Sequence, residues 1–258
     1  MVEHAFNAES TGPAVVNLTL PLGRITVATG PKVERARVVL QTEDTTGPGA
    51  DAVRRATIRH RFGRRMSVQV PEIPGAVMMS GTGSRGSQTV GTVGVGQVVT
   101  GLTFVGGQLV SGSSTMPTIR LIEAFVTLPA GSSLAVVTTS ADTTIYGDLA
   151  RLSVHSVSGD VGAQTVRVLE TDTTSGDIAA ETVTGELAAR SVSGDVQVFS
   201  YQGDTANATT VSGDISLSAT AQATGFITAN SVSGDVRVTG AGHLTPRVHS
   251  ISGYALAH

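Results

Sequence analysis

The stretch Ser191-Val192-Ser193-Gly194-Asp195-Val196 decides the fold, because it recurs through the second half of the chain. The same six residues return at 156–161 and at 231–236. Looser copies, which keep the serine and the glycine, stand at 173–178, 210–215 and 250–255. Successive glycines are 17 to 21 residues apart, a spacing that suits one coil of a β-solenoid.

Residues at even distances from each repeated glycine are mostly apolar, and those at odd distances are mostly polar. Around Gly194 the apolar positions are Val192, Val196 and Val198. This alternation is typical of a strand with one buried face. We therefore expect three apolar columns inside the solenoid, two residues before, two after and four after the glycine. The first of these columns contains Val157, Thr174, Val192, Val211, Val232 and Ile251.

The Ser-Gly-Asp triplet predicts the corner of each coil. Glycine adopts backbone angles that other residues avoid, and serine or aspartate can hydrogen-bond to its own turn. A second bend is expected near mid-coil, at Gly185, Gly203 and Gly225. About six such coils, stacked ~4.8 Å apart, would form a rod roughly 25–30 Å long.

A row of aspartates is expected along one edge of the solenoid. The sequence favours a turn-forming role for them, in which backbone hydrogen bonds offset the repulsion between neighbours. Cation binding, as in calcium-binding nonapeptide β-rolls, is the alternative. That architecture needs Gly-Gly-x-Gly-x-Asp every nine residues, a pattern the chain lacks. The row consists of Asp160, Asp177, Asp195, Asp214 and Asp235.

Composition agrees with an all-β protein. The 258 residues include 31 glycines and only 3% aromatic residues, as expected for many strands and turns. The absence of cysteine excludes disulfides and thiolate metal sites. No basic leader with an apolar run and no membrane-spanning apolar stretch are evident, so a cytoplasmic protein is expected, with a surface location left open.

Three regions are predicted: an N-terminal β region over 1–74, a glycine-rich insertion over 75–117, and the solenoid over 118–258. Within the first, 57–62 and 65–70 predict a hairpin, after a short helical turn at 50–55. This stretch is strongly basic and favours a solvated face or an oligomer contact over nucleic acid. Its arginines are Arg54, Arg55, Arg59, Arg61, Arg64 and Arg65.

The insertion contains no charged residue from 86 to 119. A flexible linker, a membrane-inserting hairpin and short strands docked on the body or on another copy are all compatible with it, and the strands are favoured. Charge is also uneven, since residues 1–70 sum to +4 and residues 118–258 to −7. This asymmetry suits head-to-tail contacts or simply follows from the aspartate repeat.

The chain ends five residues after Gly253, with Tyr254 where other copies carry aspartate. We expect this last coil to present unpaired backbone groups and apolar side chains, including Leu256 and Ala257. A partner or a second copy is therefore predicted there.

The order of these features resembles the bacterial DUF4097 family of β-strand-repeat proteins, whose members are labelled "putative adhesins". The features are Leu20-Pro21-Leu22-Gly23, a basic hairpin, Leu128-Pro129-Ala130-Gly131 and then the Ser-Gly-Asp coils. The likeness covers 14–74 and 119–258. It implies a right-handed β-solenoid without established catalytic residues, whereas the insertion is longer than the family's usual connection.

The sequence therefore predicts a non-enzymatic structural or interaction protein that self-associates into an oligomer or filament through the solenoid ends, the glycine-rich insertion, or both. No catalytic, cofactor-binding or metal-binding residue is predicted. A monomeric module that binds a protein, an envelope component or nucleic acid through the basic hairpin is the alternative. A polysaccharide-acting enzyme is less favoured, because the acids serve turns and there is no tryptophan. The six histidines show no metal-ligand spacing, and His155 and His249 are expected to point outward.

Overall fold

The structure, a computed structural model, describes residues 1–61, 64–73 and 121–257, together with the backbone of three short strands between 88 and 111. The described residues are all-β, with 60% in strands and 3% in a helix. In chain order its elements are β1 (Val2–Asn7), β2 (Val15–Thr19), β3 (Leu22–Gly30), β4 (Arg37–Thr42), α1 (Pro48–Arg54), β5 (Thr57–Arg61), β6 (Arg65–Gln69), β7 (Gln88–Val90), β8 (Leu102–Val105), β9 (Gln108–Ser111), β10 (Glu123–Pro129), β11 (Ser133–Val137), β12 (Ser140–Ser156), β13 (Val161–Thr173), β14 (Ile178–Arg190), β15 (Val196–Tyr201), β16 (Thr205–Thr210), β17 (Ile215–Ala219), β18 (Phe226–Ser231), β19 (Val236–Thr239), β20 (Arg247–Ser250) and β21 (Ala255–Ala257).

Two ladders of strands face each other across one core. The front ladder follows the order β1, β4, β10, β3, the first halves of β12, β13 and β14, and then β15, β17, β19 and β21. The rear ladder follows β5, β6, β2, β11, the second halves of β12 to β14, and then β16, β18 and β20. Three pairs are antiparallel, β1–β4, β4–β10 and β5–β6, and the other neighbours in the two ladders run parallel.

The predicted β-solenoid is confirmed, and it has about seven turns. The predicted hairpin is also confirmed as β5 and β6, and the helical turn as α1. Strands β2, β3 and β6 of the N-terminal region lie in the same two ladders as the repeats. The region boundaries at 74 and 117 stay predictions. Most of the insertion, including the question of what it docks onto, lies outside the described residues. Its described strands β7, β8 and β9 form an antiparallel sheet.

Two of the three predicted apolar columns line the core. Val196 and Val198 are each only 1% exposed, and their equivalents from the 159 copy to the 234 copy are buried as well. The third column is wrong, since Val192 is 45% exposed and Ile251 is 70% exposed. The chain bends between this column and the next strand, so the alternation of a straight strand does not continue through the corner.

Hydroxyl side chains occupy the interior where the third apolar column was expected. They stand three residues before the glycine, and their burial is tolerated because most bond to the corner backbone. The Oγ of Ser156 accepts the N–H of Gly159 at 2.8 Å, and the Oγ1 of Thr210 donates to the carbonyl of Gly194 at 3.1 Å. The residues with such a bond are Ser156, Thr173, Thr210, Ser231 and Ser250.

The corner glycines are required by close packing rather than by unusual backbone angles. None of the six has a positive φ, so the expected conformational reason is wrong. Instead, a Cβ at Gly194 would collide with the carbonyl oxygen of Gly176 in the preceding coil. Gly176 stands in the same relation to Gly159, and Gly213 to Gly194. Glycine therefore lets successive corners stack directly on one another.

The buried and exposed columns should respond differently to the same valine-to-threonine substitution. Val196→Thr places a hydroxyl in the core and should lower the free energy of unfolding by about 1–3 kcal/mol. Val192→Thr, in the same coil, should change it by less than about 0.5 kcal/mol, since threonine stands naturally at the equivalent position 174. Urea unfolding of both variants measures the difference, and equal losses would contradict the assigned exposure.

One aromatic side chain fills the interior at the end of β15. Tyr201 is fully buried, and its hydroxyl donates to the carbonyl of Gly185 at 3.2 Å. Burial and the nearby Asp204 carboxylate raise the pKa of Tyr201 well above its usual value, because both disfavour the phenolate. The residue is therefore a neutral structural anchor.

Candidate interaction surfaces

The aspartates form a continuous row along the edge where the rear ladder turns into the front ladder. Each carboxylate accepts a backbone N–H from the next coil. Asp177 Oδ1 accepts the N–H of Asp195 at 2.9 Å, and Asp195 Oδ1 accepts that of Asp214 at 2.8 Å. The chain of bonds ends where Asp235 Oδ1 accepts the N–H of Tyr254 at 2.9 Å. One oxygen of each bonded carboxylate thus stabilises the stacking of the corners.

The row begins one coil earlier than the sequence repeat indicated. Asp142 Oδ1 accepts the N–H of Asp160 at 3.2 Å, and Thr138 Oγ1 accepts the N–H of Ala141 at 2.8 Å. Residues 138–142 (Thr-Thr-Ser-Ala-Asp) therefore form a corner in which alanine replaces glycine. The sequence could have indicated this corner, because 138–142 lies 18 residues before the corner at 156–160.

A shallow trough of about 600 Å³ lies beside the start of this row, on the outer face of the front ladder. Asp142, Asp160 and Asp177 border the trough on one side, and the exposed ring of Tyr146 lies at the other. Within the described part of the chain, no three histidine or acidic side chains are grouped closely enough to hold a metal ion.

Exposed apolar side chains run parallel to the acidic row, on the other side of the corner. They are the members of the wrongly predicted third column, and Thr174 interrupts them once. Because one such side chain occurs in most coils, they form an apolar row whose successive positions are about 4.8 Å apart. Its members are Val157, Val192, Val211, Val232 and Ile251.

The coil formed by β20 and β21 leaves the end of the core uncovered within the described residues. Strand β20 pairs only with β18, and β21 only with β19. Ala255 is exposed, although its equivalents in the five preceding copies are buried. Ile251 is 70%, Tyr254 82% and Leu256 50% exposed. This apolar group, the terminal patch, is what sequence reasoning expected at the last coil.

The opposite end of the solenoid is better covered. Helix α1 packs against β1 and β4, and its residues Ala52 and Val53 are fully buried. The carbonyl of Val53 also contacts Nδ1 of His4 at 3.2 Å. The two ends therefore differ, since no described element covers the last coil as α1 covers β1 and β4.

The basic hairpin brings together three of the arginines singled out in the sequence. Arg59, Arg61 and Arg65 line a depression of about 230 Å³ on the outer face of the rear ladder. Asn17 and Ser67 also line it. Ser67 lies opposite Arg59 within the hairpin. Asn17 reaches the arginines only through the pairing of β2 with β6, which the sequence did not indicate.

The other residues of interest are placed separately. Arg54 pairs with Asp51 at 3.1 Å and bonds to the carbonyl of Thr45, so it supports α1 locally. His155 lies 3.4 Å from Asp172 on the exposed rear face. His249 is exposed on β20, so both histidines point outward as predicted.

A known protein family matches most of the chain. Residues 61–254 match the family described as Toastrack DUF4097. The chain belongs to the DUF4097 family. The match spans the basic strand β6 and the corner repeats together, which confirms the resemblance drawn from the sequence.

Several solved structures align with the chain at low sequence identity. A "putative adhesin" from Bacteroides fragilis aligns with 13% identity and a TM-score of 0.51, covering 99% of this chain and 95% of its own. A "putative lipid binding protein" from Parabacteroides distasonis gives 12% identity and a TM-score of 0.44, covering 99% and 96%. A "putative adhesin" from Parabacteroides merdae gives 8% and 0.40, covering 100% and 96%.

The Bacteroides fragilis similarity shows the fold alone, since one architecture can carry unrelated functions. The comparison with curated proteins gives no match. Among the described residues, no helix has the length and apolar character needed to cross a membrane.

Proposed function

We propose that this DUF4097 chain is a non-enzymatic interaction protein whose copies associate through the terminal patch. The exposed end of the core carries the proposal. An open solenoid end presents unpaired backbone donors and acceptors together with apolar surface, and both favour pairing with another sheet. The adhesin name of the Bacteroides fragilis neighbour fits an interaction role.

A dimer fits the two unequal ends better than a filament. Head-to-tail growth would require the covered α1 end to receive the terminal patch, whereas a two-fold axis joins two terminal patches. Such an interface must be self-complementary. The last two coils carry both charge signs on their outer faces, with Asp235 and Arg237 on one and Arg247 on the next, all exposed.

Tyr254→Asp tests the proposal with little risk to the fold. Aspartate is the residue of the preceding copies at this position, and the backbone N–H of residue 254 keeps its bond to Asp235. The wild-type protein is expected to show twice the chain mass of 26.2 kDa in light scattering after size exclusion. The variant should raise the dimer dissociation constant at least about tenfold, or ~1.4 kcal/mol.

Tyr146→Asp is the matched control, because Tyr146 is also an exposed tyrosine on the front ladder but lies far from the last coil. It should leave the dimer unchanged. A wild-type protein that stays monomeric at every concentration would refute self-association. A dimer that neither variant weakens would show that the copies meet elsewhere.

A further inference from the structure

The depression at the basic hairpin has the composition of an anion site. Arg61 on β5 stands directly opposite Arg65 on β6, and Arg59 stands opposite Ser67. Ser67 in turn neighbours Asn17 on β2. All five side chains belong to the outer face of the rear ladder, and all five line the depression.

The three guanidinium groups have no acidic partner within the described chain. Arg59, Arg61 and Arg65 are exposed, and their side chains take part in none of the ion pairs or hydrogen bonds of the described residues. Other arginines are paired, as Arg151 is with Glu170 at 2.6 Å. The charge gathered at the depression is therefore uncompensated.

This arrangement disfavours folding unless something neutralises it. Like charges directly opposite each other on antiparallel strands are destabilising. An oxyanion would remove the repulsion, because the planar guanidinium fork binds phosphate or carboxylate through two parallel hydrogen bonds. The Asn17 amide and the Ser67 hydroxyl supply further neutral donors.

The size and the lining residues of the depression limit the class of ligand that can bind there. The volume of about 230 Å³ is below the roughly 300–1,000 Å³ typical of pockets that enclose a whole small molecule. Its lining has no aromatic ring on which a base could stack. The depression therefore suits the charged group of a ligand better than the entire ligand.

We infer that Arg59, Arg61 and Arg65 form a binding site for a phosphate group, with Asn17 and Ser67 as neutral hydrogen-bond donors. The group can belong to free phosphate or to a lipid headgroup, since both present the same oxyanion. This site is distant from the terminal patch and does not depend on self-association.

Thermal unfolding of the full chain with increasing inorganic phosphate, at constant ionic strength set with chloride, tests the site. A ligand that binds only the folded state raises the midpoint once its concentration exceeds the dissociation constant, and the rise is then logarithmic in ligand concentration. The double variant Arg61→Gln/Arg65→Gln should lose at least about tenfold in phosphate affinity. Arg167→Gln removes an exposed charge from β13 and should retain the wild-type affinity.

The double variant also has a readout without ligand. Its midpoint in chloride alone should equal or exceed that of the wild type, because the opposed charges are gone. Flotation with vesicles of phosphatidic acid, compared with phosphatidylcholine alone, distinguishes a lipid source from free phosphate. Equal responses of the wild type and the double variant to phosphate, together with equal vesicle binding, would overturn the inference.

Discussion

Gly194→Ala is expected to destabilise the solenoid by about 3 kcal/mol or more, because the added methyl group would collide with the carbonyl of Gly176. The corner cannot shift to make room without breaking other bonds. Ser193 donates its N–H to Thr174 at 2.8 Å in the coil below, and Asp195 accepts the N–H of Ile178 at 2.8 Å. The midpoint and the slope of urea unfolding measure the loss.

Gly162→Ala is the matched control for this substitution. Gly162 lies in strand β13 with an ordinary φ, and a methyl group there would meet no atom within 4 Å. Alanine should be neutral or stabilise by about 0.5–1 kcal/mol, since glycine loses more backbone freedom on folding. A similar loss of stability in both variants would show that close packing is not the reason for glycine at the corner.

Tyr201→Ala is expected to lower the free energy of unfolding by about 3–5 kcal/mol, the usual cost of removing a buried aromatic ring. The side chain is fully buried and also loses its bond to Gly185. Tyr146→Ala removes a ring that is 57% exposed and should cost less than about 0.5 kcal/mol. Tyr201→Phe separates the two contributions, because it removes only the hydroxyl, at about 1 kcal/mol.

The raised pKa of Tyr201 gives a second readout on the same residue. The unfolded chain begins to ionise this phenol near pH 10, whereas the folded chain keeps it neutral to higher pH. The stability associated with the neutral phenol is therefore complete below pH 10 and is lost as pH rises above that value. Tyr201→Phe should lose less stability than the wild type between pH 9 and about 11; identical alkaline losses would contradict this assignment.

Much of the solenoid could be predicted from the repeat, because burial within a straight strand depends only on the alternation of side chains. Val196 and Val198 are buried for that reason, and Arg59 and Arg61 share a face for the same reason. The rule failed at Val192, since the corner intervenes between that residue and the next strand. Most of the buried hydroxyls three residues before the glycine are stabilised by the corner backbone, as Ser156 is by the N–H of Gly159 and Ser231 by the carbonyl of Gly213.

The candidate sites could be predicted only in part. The terminal patch was visible, because Tyr254 departs from the aspartate of the other copies. The corner at Asp142 was missed because alanine replaces its glycine, so the motif that defined the repeat is absent there. Asn17 and Ser67 are separated by 50 positions in the chain, and only the β2–β6 register brings them together. No local pattern encodes that pairing.

The aspartate row also bears on how this architecture varies in length. Every corner from Asp142 to Asp235 offers the same acceptor to its successor, and each from Asp160 onward presents the same donor to its predecessor. A whole coil can thus be duplicated or deleted while each remaining junction keeps its bonding pattern. The coil is therefore a modular unit. Gain or loss of one coil in the gene would lengthen or shorten the apolar row without altering its chemistry.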